Sequence, residues 1–427
     1  MSLYSSENES QLEFERLEQT LPDPLRRSAS SLLDKLYSNL SQQVDSPLSR
    51  ARLNQEALNT LAGGILKDQH NRLLLKLSRS EHGREGSPIP VPRPEFNSEI
   101  HKPAMNTKQL TGFEGNGDKD WANLGQGAPE HGDTVPGSFK RPTLIPVTDV
   151  SKEYAPTAGI KELREAVAHY YNETYRQNLP SKYSYKNVCI VPGGRAGLIR
   201  IASIISDCYL SFFLPDYTAY AEMLSLFKNF SPIPVPLDEA DNYEVHLATI
   251  ALELQRGVSA FLTSNPRNPT GKCMTRDQLR RLHDMCRKKC LLIMDEFYSH
   301  YYYDEGCNGD SISSSLYVQD VNKDPVLILN GLTKAFRLPG WRICWIVGPE
   351  EYVNALSSAG SFLDGGSNAP FQYAAVDFLH PLNVRREMKA LQMHFKTKRD
   401  YVIGRLSNMG FHFHREKYPE FDILPLA

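Results

Sequence analysis

The spacing of apolar positions changes at about Trp121. Before it, Leu32, Leu33, Leu36, Tyr37 and Leu40 recur at helical intervals, as do Leu53, Ala57, Leu58 and Leu61. Residues 1–110 are otherwise polar and contain the Pro-rich stretch "GREGSPIPVPRPEF" (Gly83–Phe96). They predict an N-terminal extension of amphipathic helices followed by an extended arm, with the first residues disordered. After Trp121, short apolar runs bounded by turns alternate with amphipathic segments. "GIKELREAVAHYYNETYRQ" predicts a helix, "NVCIVPGGRAGLIRIASII" a strand, glycine turn and helix, and "CYLSFFLPDYTAYAEMLSLF" repeats that order. "VSAFLTSNP", "RDQLRRLHDMCRKKC", "LLIMDEFY" and "PVLILNGL" continue the alternation. The pattern predicts the α/β class, with a mostly parallel sheet covered on both faces. "VRREMKALQMHFKTKRDYVIGRL" predicts a long connector helix that leads into a last small unit.

Composition narrows the partners. The chain has 427 residues, 41% hydrophobic, with a formal net charge of -2. That gives no electrostatic reason to expect nucleic acid or an anionic membrane surface. No apolar run reaches the length that crosses a bilayer, and "MSLYSSENESQLEFERLEQ" lacks the basic-then-apolar order of a secretory leader. The 7 cysteines follow no regular spacing, which suits a reducing compartment, so the expectation is a cytoplasmic protein. Cys286, Cys290 and His283 could share a helix face as a metal corner, but no second ligand pair accompanies them. Packing beneath the sheet is the expected role.

In open α/β sheets, ligands gather at the carboxyl ends of strands. The predicted ends carry "GGRAGL" (Gly193–Leu198), "PDYTAY" (Pro215–Tyr220), "SNPRNPTGK" (Ser264–Lys272), "DEFY" (Asp295–Tyr298) and Lys334. Gly193 and Gly194 before a helix let backbone N–H groups approach an anion. Tyr217 offers a flat stacking face, and two Asn-Pro steps stiffen a loop that presents the Asn268 amide. Asp295 directly follows "LLIM", where a carboxylate is costly unless a cation faces it. Burial of Lys334 favours its neutral form, a nucleophile toward an aldehyde. Arg342 can clamp a phosphate bidentately. Together these groups describe a site for pyridoxal 5′-phosphate, with Asn268 and Tyr298 on the ring hydroxyl and Asp295 at the pyridine nitrogen.

From Trp121 to Leu424 the chain resembles the class I/II aminotransferases, fold type I of the pyridoxal phosphate enzymes, including aminocyclopropane-carboxylate-synthase-like members. "NLGQGAPE", "YAPTAGIKELREAVAHYY", "PDYTAY", "SNPRNPTGK", "DEFY" and "LTKAFRLPGWRICW" carry the resemblance in family order. It implies catalytic roles for Lys334, Asp295 and Tyr217, with Lys334 forming the internal aldimine and then acting as general base. It implies phosphate contacts from Gly194, Arg195, Ala196 and Arg342. Tyr154 would reach the neighbouring subunit's phosphate site, which implies a homodimer, and Gly127 would lie beside the substrate carboxylate. The expected substrates are an amino acid and a keto acid. The implied organisation is the extension (1–110), the N-terminal part of a small domain (111–139), a large cofactor-binding domain (140–382), and a connector helix with a truncated small domain (383–427).

Three departures stand out. "NGLT" approaches the lysine where some members have serines, and Arg195 replaces a small or amide residue. "GFHFHREKYPEFDILPLA" ends before the arginine that normally grips the substrate carboxylate. Arg84 and Arg93 in the Pro-rich arm are conceivable substitutes, although solvating the arm is their simpler role. Amino transfer, a C–S or other elimination (or ring closure) on the same cofactor, and a truncated non-catalytic homologue all remain open on these residues.

Overall fold

The computed structural model describes Pro129 and residues 135–410, apart from 225, 228–229, 288 and 304–307. All of these belong to the second of the chain's two units, Glu114–Ala427. The helices and arm expected within residues 1–110 lie outside the described residues, as does Gly127.

In chain order the regular elements are α1 (Lys161–Tyr175), β1 (Val188–Val191), α2 (Gly194–Ile204), β2 (Cys208–Leu214), α3 (Ala219–Leu224), β3 (Phe230–Pro236), α4 (Leu247–Gln255) and β4 (Val258–Ser264). There follow α5 (Arg276–Cys286), β5 (Leu291–Asp295), β6 (Val326–Gly331), α6 (Leu332–Ala335), β7 (Cys344–Val347), α7 (Glu350–Leu363), α8 (Ala369–Ala375) and α9 (Pro381–Asn408). Local chemistry sets several of these limits. Thr275 begins α5 with a capping box: its hydroxyl accepts from Gln278 N at 3.2 Å, while Gln278 Oε1 accepts from Thr275 N at 2.8 Å.

The strands form one seven-stranded sheet in the order β1-β7-β6-β5-β4-β2-β3. β3, β2, β4, β5 and β6 run parallel, and β7 runs antiparallel to both of its neighbours. The link from β6 to β7 holds only the single turn of α6 and a short 3-10 turn at Pro339–Trp341, and β7 returns beside β6 in the opposite direction. β3 lies at one edge, where the prolines at 232, 234 and 236 break no ladder on its outer side.

The inner strands are apolar on both faces because helices cover both. On β7, Trp345 and Val347 join the layer that holds Leu163, Val167, Leu279 and Phe378, while Cys344 and Ile346 join the layer that holds Leu198, Ile201, Val353 and Leu356. The same alternation puts Leu292 and Met294 of β5 in the first layer and Ile293 in the second. Period two therefore places Asp295 on the second face, one residue past the apolar run.

Helix α9 is tied to the turn after α6 by Glu387, which is fully buried. Its carboxylate accepts from Phe139 N at 2.8 Å and pairs with the guanidinium of Arg141. Arg337 Nε lies 3.7 Å away on its other side. Glu387→Ala takes the carboxylate from two buried cations, and the expected cost is about 3–5 kcal/mol of stability. Urea denaturation at neutral pH measures it.

Candidate active site

The carboxyl ends of β4, β5 and β6 meet in register: Ser264 lies opposite Asp295, and Asp295 opposite Leu329. Asp295, 7% exposed, accepts hydrogen bonds from Tyr220 Oη at 2.7 Å and from Phe297 N at 3.3 Å. Burial raises its pKa to about 7 against these donors, with the Asp216 carboxylate adding to the rise and Lys334 opposing it. The group is poised to lose its proton when a cation is placed against it.

β6 ends at Gly331 and the chain turns into the single helical turn of α6, which presents Lys334. Two bonds fix that turn: Leu332 N donates to Ile343 O at 2.9 Å, and Tyr301 Oη donates to Lys334 O at 2.8 Å. The ammonium nitrogen of Lys334 lies 5.7 Å from the centroid of the Tyr298 ring. Burial lowers its pKa, and the charge of Asp295 opposes the shift. Amine and carboxylate thus share one field, and in each case burial outweighs their attraction. The Tyr298 phenol is pushed up by burial first and by Asp295 next.

The glycine turn between β1 and α2 forms as its residues predict. Gly193 caps α2 at φ 109, and Gly194, Arg195 and Ala196 are the first residues of that helix, where backbone N–H groups have no intrahelical acceptor. The Arg342 guanidinium closes on Gly193 so tightly that a Cβ there would overlap Nη2, and a Cβ on Gly194 would come within 2.7 Å of the Phe297 ring. Arg342 itself holds a left-handed backbone at φ 57, and its Nη1 donates to Pro339 O at 3.2 Å. These amides, with one guanidinium against glycine backbone, could hold a dianionic phosphate. Gly193→Ala adds both a backbone strain and an overlap with Arg342. It should weaken pyridoxal 5′-phosphate binding by about tenfold or more, measured by absorbance titration.

Tyr217 follows β2 and its hydroxyl accepts from Arg195 Nε at 3.2 Å, so Arg195 braces the phenol with its side chain. Asn268 N donates to Ser264 Oγ at 3.0 Å, which pins the Asn-Pro loop to the end of β4. Tyr154 lies on the surface, 95% exposed. Tyr220 and Asp216 join the site without a motif of their own; the place of Tyr220 in "PDYTAY", three residues after Tyr217, is its signal in the sequence. At the proposed metal corner, His283 is buried with its pKa lowered to about 3 by burial, and no group of ligands able to hold a metal ion exists among the described residues. Cys286 and Cys290 lie in the apolar layer that holds Leu279 and Leu292, and His283 is buried beside them.

The residues present fit pyridoxal 5′-phosphate: helix N-terminal amides with Arg342, a buried carboxylate suited to a protonated pyridine nitrogen, and an amine whose pKa burial lowers. Comparison with known proteins agrees. The sequence pattern of the class I and II aminotransferases matches residues 119–418. A probable aspartate/prephenate aminotransferase of Aquifex aeolicus is 25% identical over 291 residues, which span 67% of this chain and 71% of that protein. An aspartate aminotransferase of Pyrococcus horikoshii is 24% identical over 68% of this chain and 72% of its own. The solved structure of a Thermus thermophilus aspartate aminotransferase mutant superposes with a TM-score of 0.54 at 23% identity, covering 61% of this chain and 69% of the other, and supports the fold. The chain therefore belongs to the class I and II aminotransferases, the pyridoxal phosphate-dependent enzymes of fold type I.

Proposed function

We propose that this aminotransferase moves an amino group between an amino acid and a keto acid at the β4–β6 strand ends, with Lys334 as nucleophile and proton carrier. The observation that carries the assignment is the shared field of Lys334 and Asp295 on adjacent strand ends. When bound, pyridoxal 5′-phosphate supplies an aldehyde and an electron-withdrawing ring that acidifies the α-hydrogen of an attached amine. Asp295 would hold the proton on the ring nitrogen, and Tyr217 would cover one face. Asn268 and Tyr298 would orient the ring oxygen. Gly194, Arg195 and Ala196 would hold the phosphate with Arg342. Lys334 Nζ, whose pKa burial lowers, would take the α-proton and return it.

A homodimer belongs to this reading. Tyr154 is exposed on the same segment as Leu144 and Val147, 85% and 61% exposed, an apolar stretch suited to a second copy of this chain. The free thiols at Cys189, Cys208, Cys273, Cys286, Cys290 and Cys344 support a reducing, cytoplasmic setting. The aspartate aminotransferases among its relatives place acidic amino acids first among donors to test.

The test is spectral. Full-length protein loaded with pyridoxal 5′-phosphate should lose its visible cofactor band when given the right amino acid and regain it when given a keto acid. Ammonia and a keto acid released without any acceptor would mark an elimination instead. No change with any amino acid would mark a non-catalytic chain.

A further inference from the structure

Behind the two loops that flank the ring site lies a buried ion pair with no part in the chemistry above. Asp216, 4% exposed, immediately precedes Tyr217, and Arg267, 1% exposed, sits between the two Asn-Pro steps and immediately precedes Asn268. Arg267 Nε lies 3.8 Å from Asp216 Oδ2 and makes no hydrogen bond among the described residues. The guanidinium also covers the Phe213 ring at 5.2 Å, and its Nη1 donates to Tyr243 O at 3.1 Å.

Asp216 gathers four donors: Tyr217 N at 2.8 Å, Thr263 Oγ1 at 2.9 Å, Ser264 N at 3.2 Å and the Ser264 hydroxyl. Because the Ser264 hydroxyl gives its proton to Asp216, its lone pairs face the Asn268 N–H, which donates to it. One continuous chain of hydrogen bonds thus runs from the Tyr217 backbone through Asp216 and Ser264 to the Asn268 backbone. Burial pushes the Asp216 pKa up and that of Arg267 down, and each partner opposes the other's shift. An ion pair this long and this buried gives back little of its desolvation cost, so stability alone does not account for it.

We propose that Asp216, Ser264 and Arg267 form a positioning unit that fixes the stacking ring of Tyr217 and the Asn268 loop relative to each other, and so holds the cofactor ring in one orientation. The unit touches no reacting atom. It rests on the site assignment above and extends it to residues behind the site.

The experiment compares Ser264→Ala, Asp216→Asn and Lys334→Ala in the full-length chain. Each is titrated with pyridoxal 5′-phosphate, and the circular dichroism induced in the cofactor band is recorded per bound cofactor at saturation. The unit predicts that Ser264→Ala and Asp216→Asn raise Kd by about tenfold or more and change the induced band per bound cofactor. Affinity within about twofold of the parent with an unchanged band overturns the proposal. A raised Kd with an unchanged band per bound cofactor also overturns it, since general loosening does not reorient a ring. Ser264→Ala keeps the ion pair and serves if Asp216→Asn does not fold. Lys334→Ala separates the two levels: if it leaves the visible band of the parent intact, the site assignment itself fails. If it abolishes that band while Ser264→Ala and Asp216→Asn match the parent, only the positioning unit fails.

Discussion

Lys334→Ala should lower kcat/KM for amino transfer by about 10³-fold to 10⁴-fold while leaving the fold intact. The side chain lies on a single helical turn whose backbone is fixed independently, through Leu332 N and through the Tyr301 hydroxyl. Deleting the amine therefore removes chemistry and little architecture. Its burial already disfavours the charged form, so truncation relieves a desolvation cost and should not lower the melting temperature. The loss should appear chiefly in kcat, because the amine takes and returns the α-proton. A variant that turned over within about tenfold of the parent would place the proton transfer elsewhere.

Asp295→Asn should reduce kcat/KM by about 10²-fold to 10³-fold, since an amide cannot hold a proton on the ring nitrogen. Without cofactor the same change should be stabilising at high pH. As pH rises from 3.8 to about 7, the unfolded carboxylate ionises while the folded one keeps its proton, so the parent loses stability across that window. Asparagine never ionises and escapes the loss. Glu296 follows a similar course, raised by burial from 4.5 to about 7. Burial, its largest cause, acts in both proteins, while the Asp295 charge that adds to the rise is lost in the variant, so the Glu296 contribution falls slightly and in the same direction. The cofactor-free variant should therefore gain on the parent as pH rises from about 4 to about 7 in chemical denaturation, while the loaded variant is nearly inactive. Parallel stability curves across that range would mean Asp295 is charged in the free protein.

The strands were legible because β4 to β6 are apolar on both faces, a pattern that helices do not share at that length. Asp295 and Lys334 were legible for the opposite reason: each interrupts an apolar neighbourhood at a strand end. The reversed direction of β7 was not. "WRICWIVG" has the same composition as its parallel neighbours, and direction depends on how short the preceding turn proves to be. Glu387 was hidden by its setting, since a glutamate in a mixed-charge helix reads as solvated. Its partners Arg141 and Arg337 are distant in sequence and declare it only in the fold. Arg267 was hidden likewise, because an arginine in a polar loop reads as solvated, and its partner Asp216 is 51 residues away in sequence.

The most direct measurement is chemical. Borohydride reduction of the protein loaded with pyridoxal 5′-phosphate, followed by peptide mass analysis, should place the phosphopyridoxyl group on the peptide containing Lys334 and on no other lysine. A label on a different lysine, or no covalent label at all in protein that retains the visible band, would contradict the account.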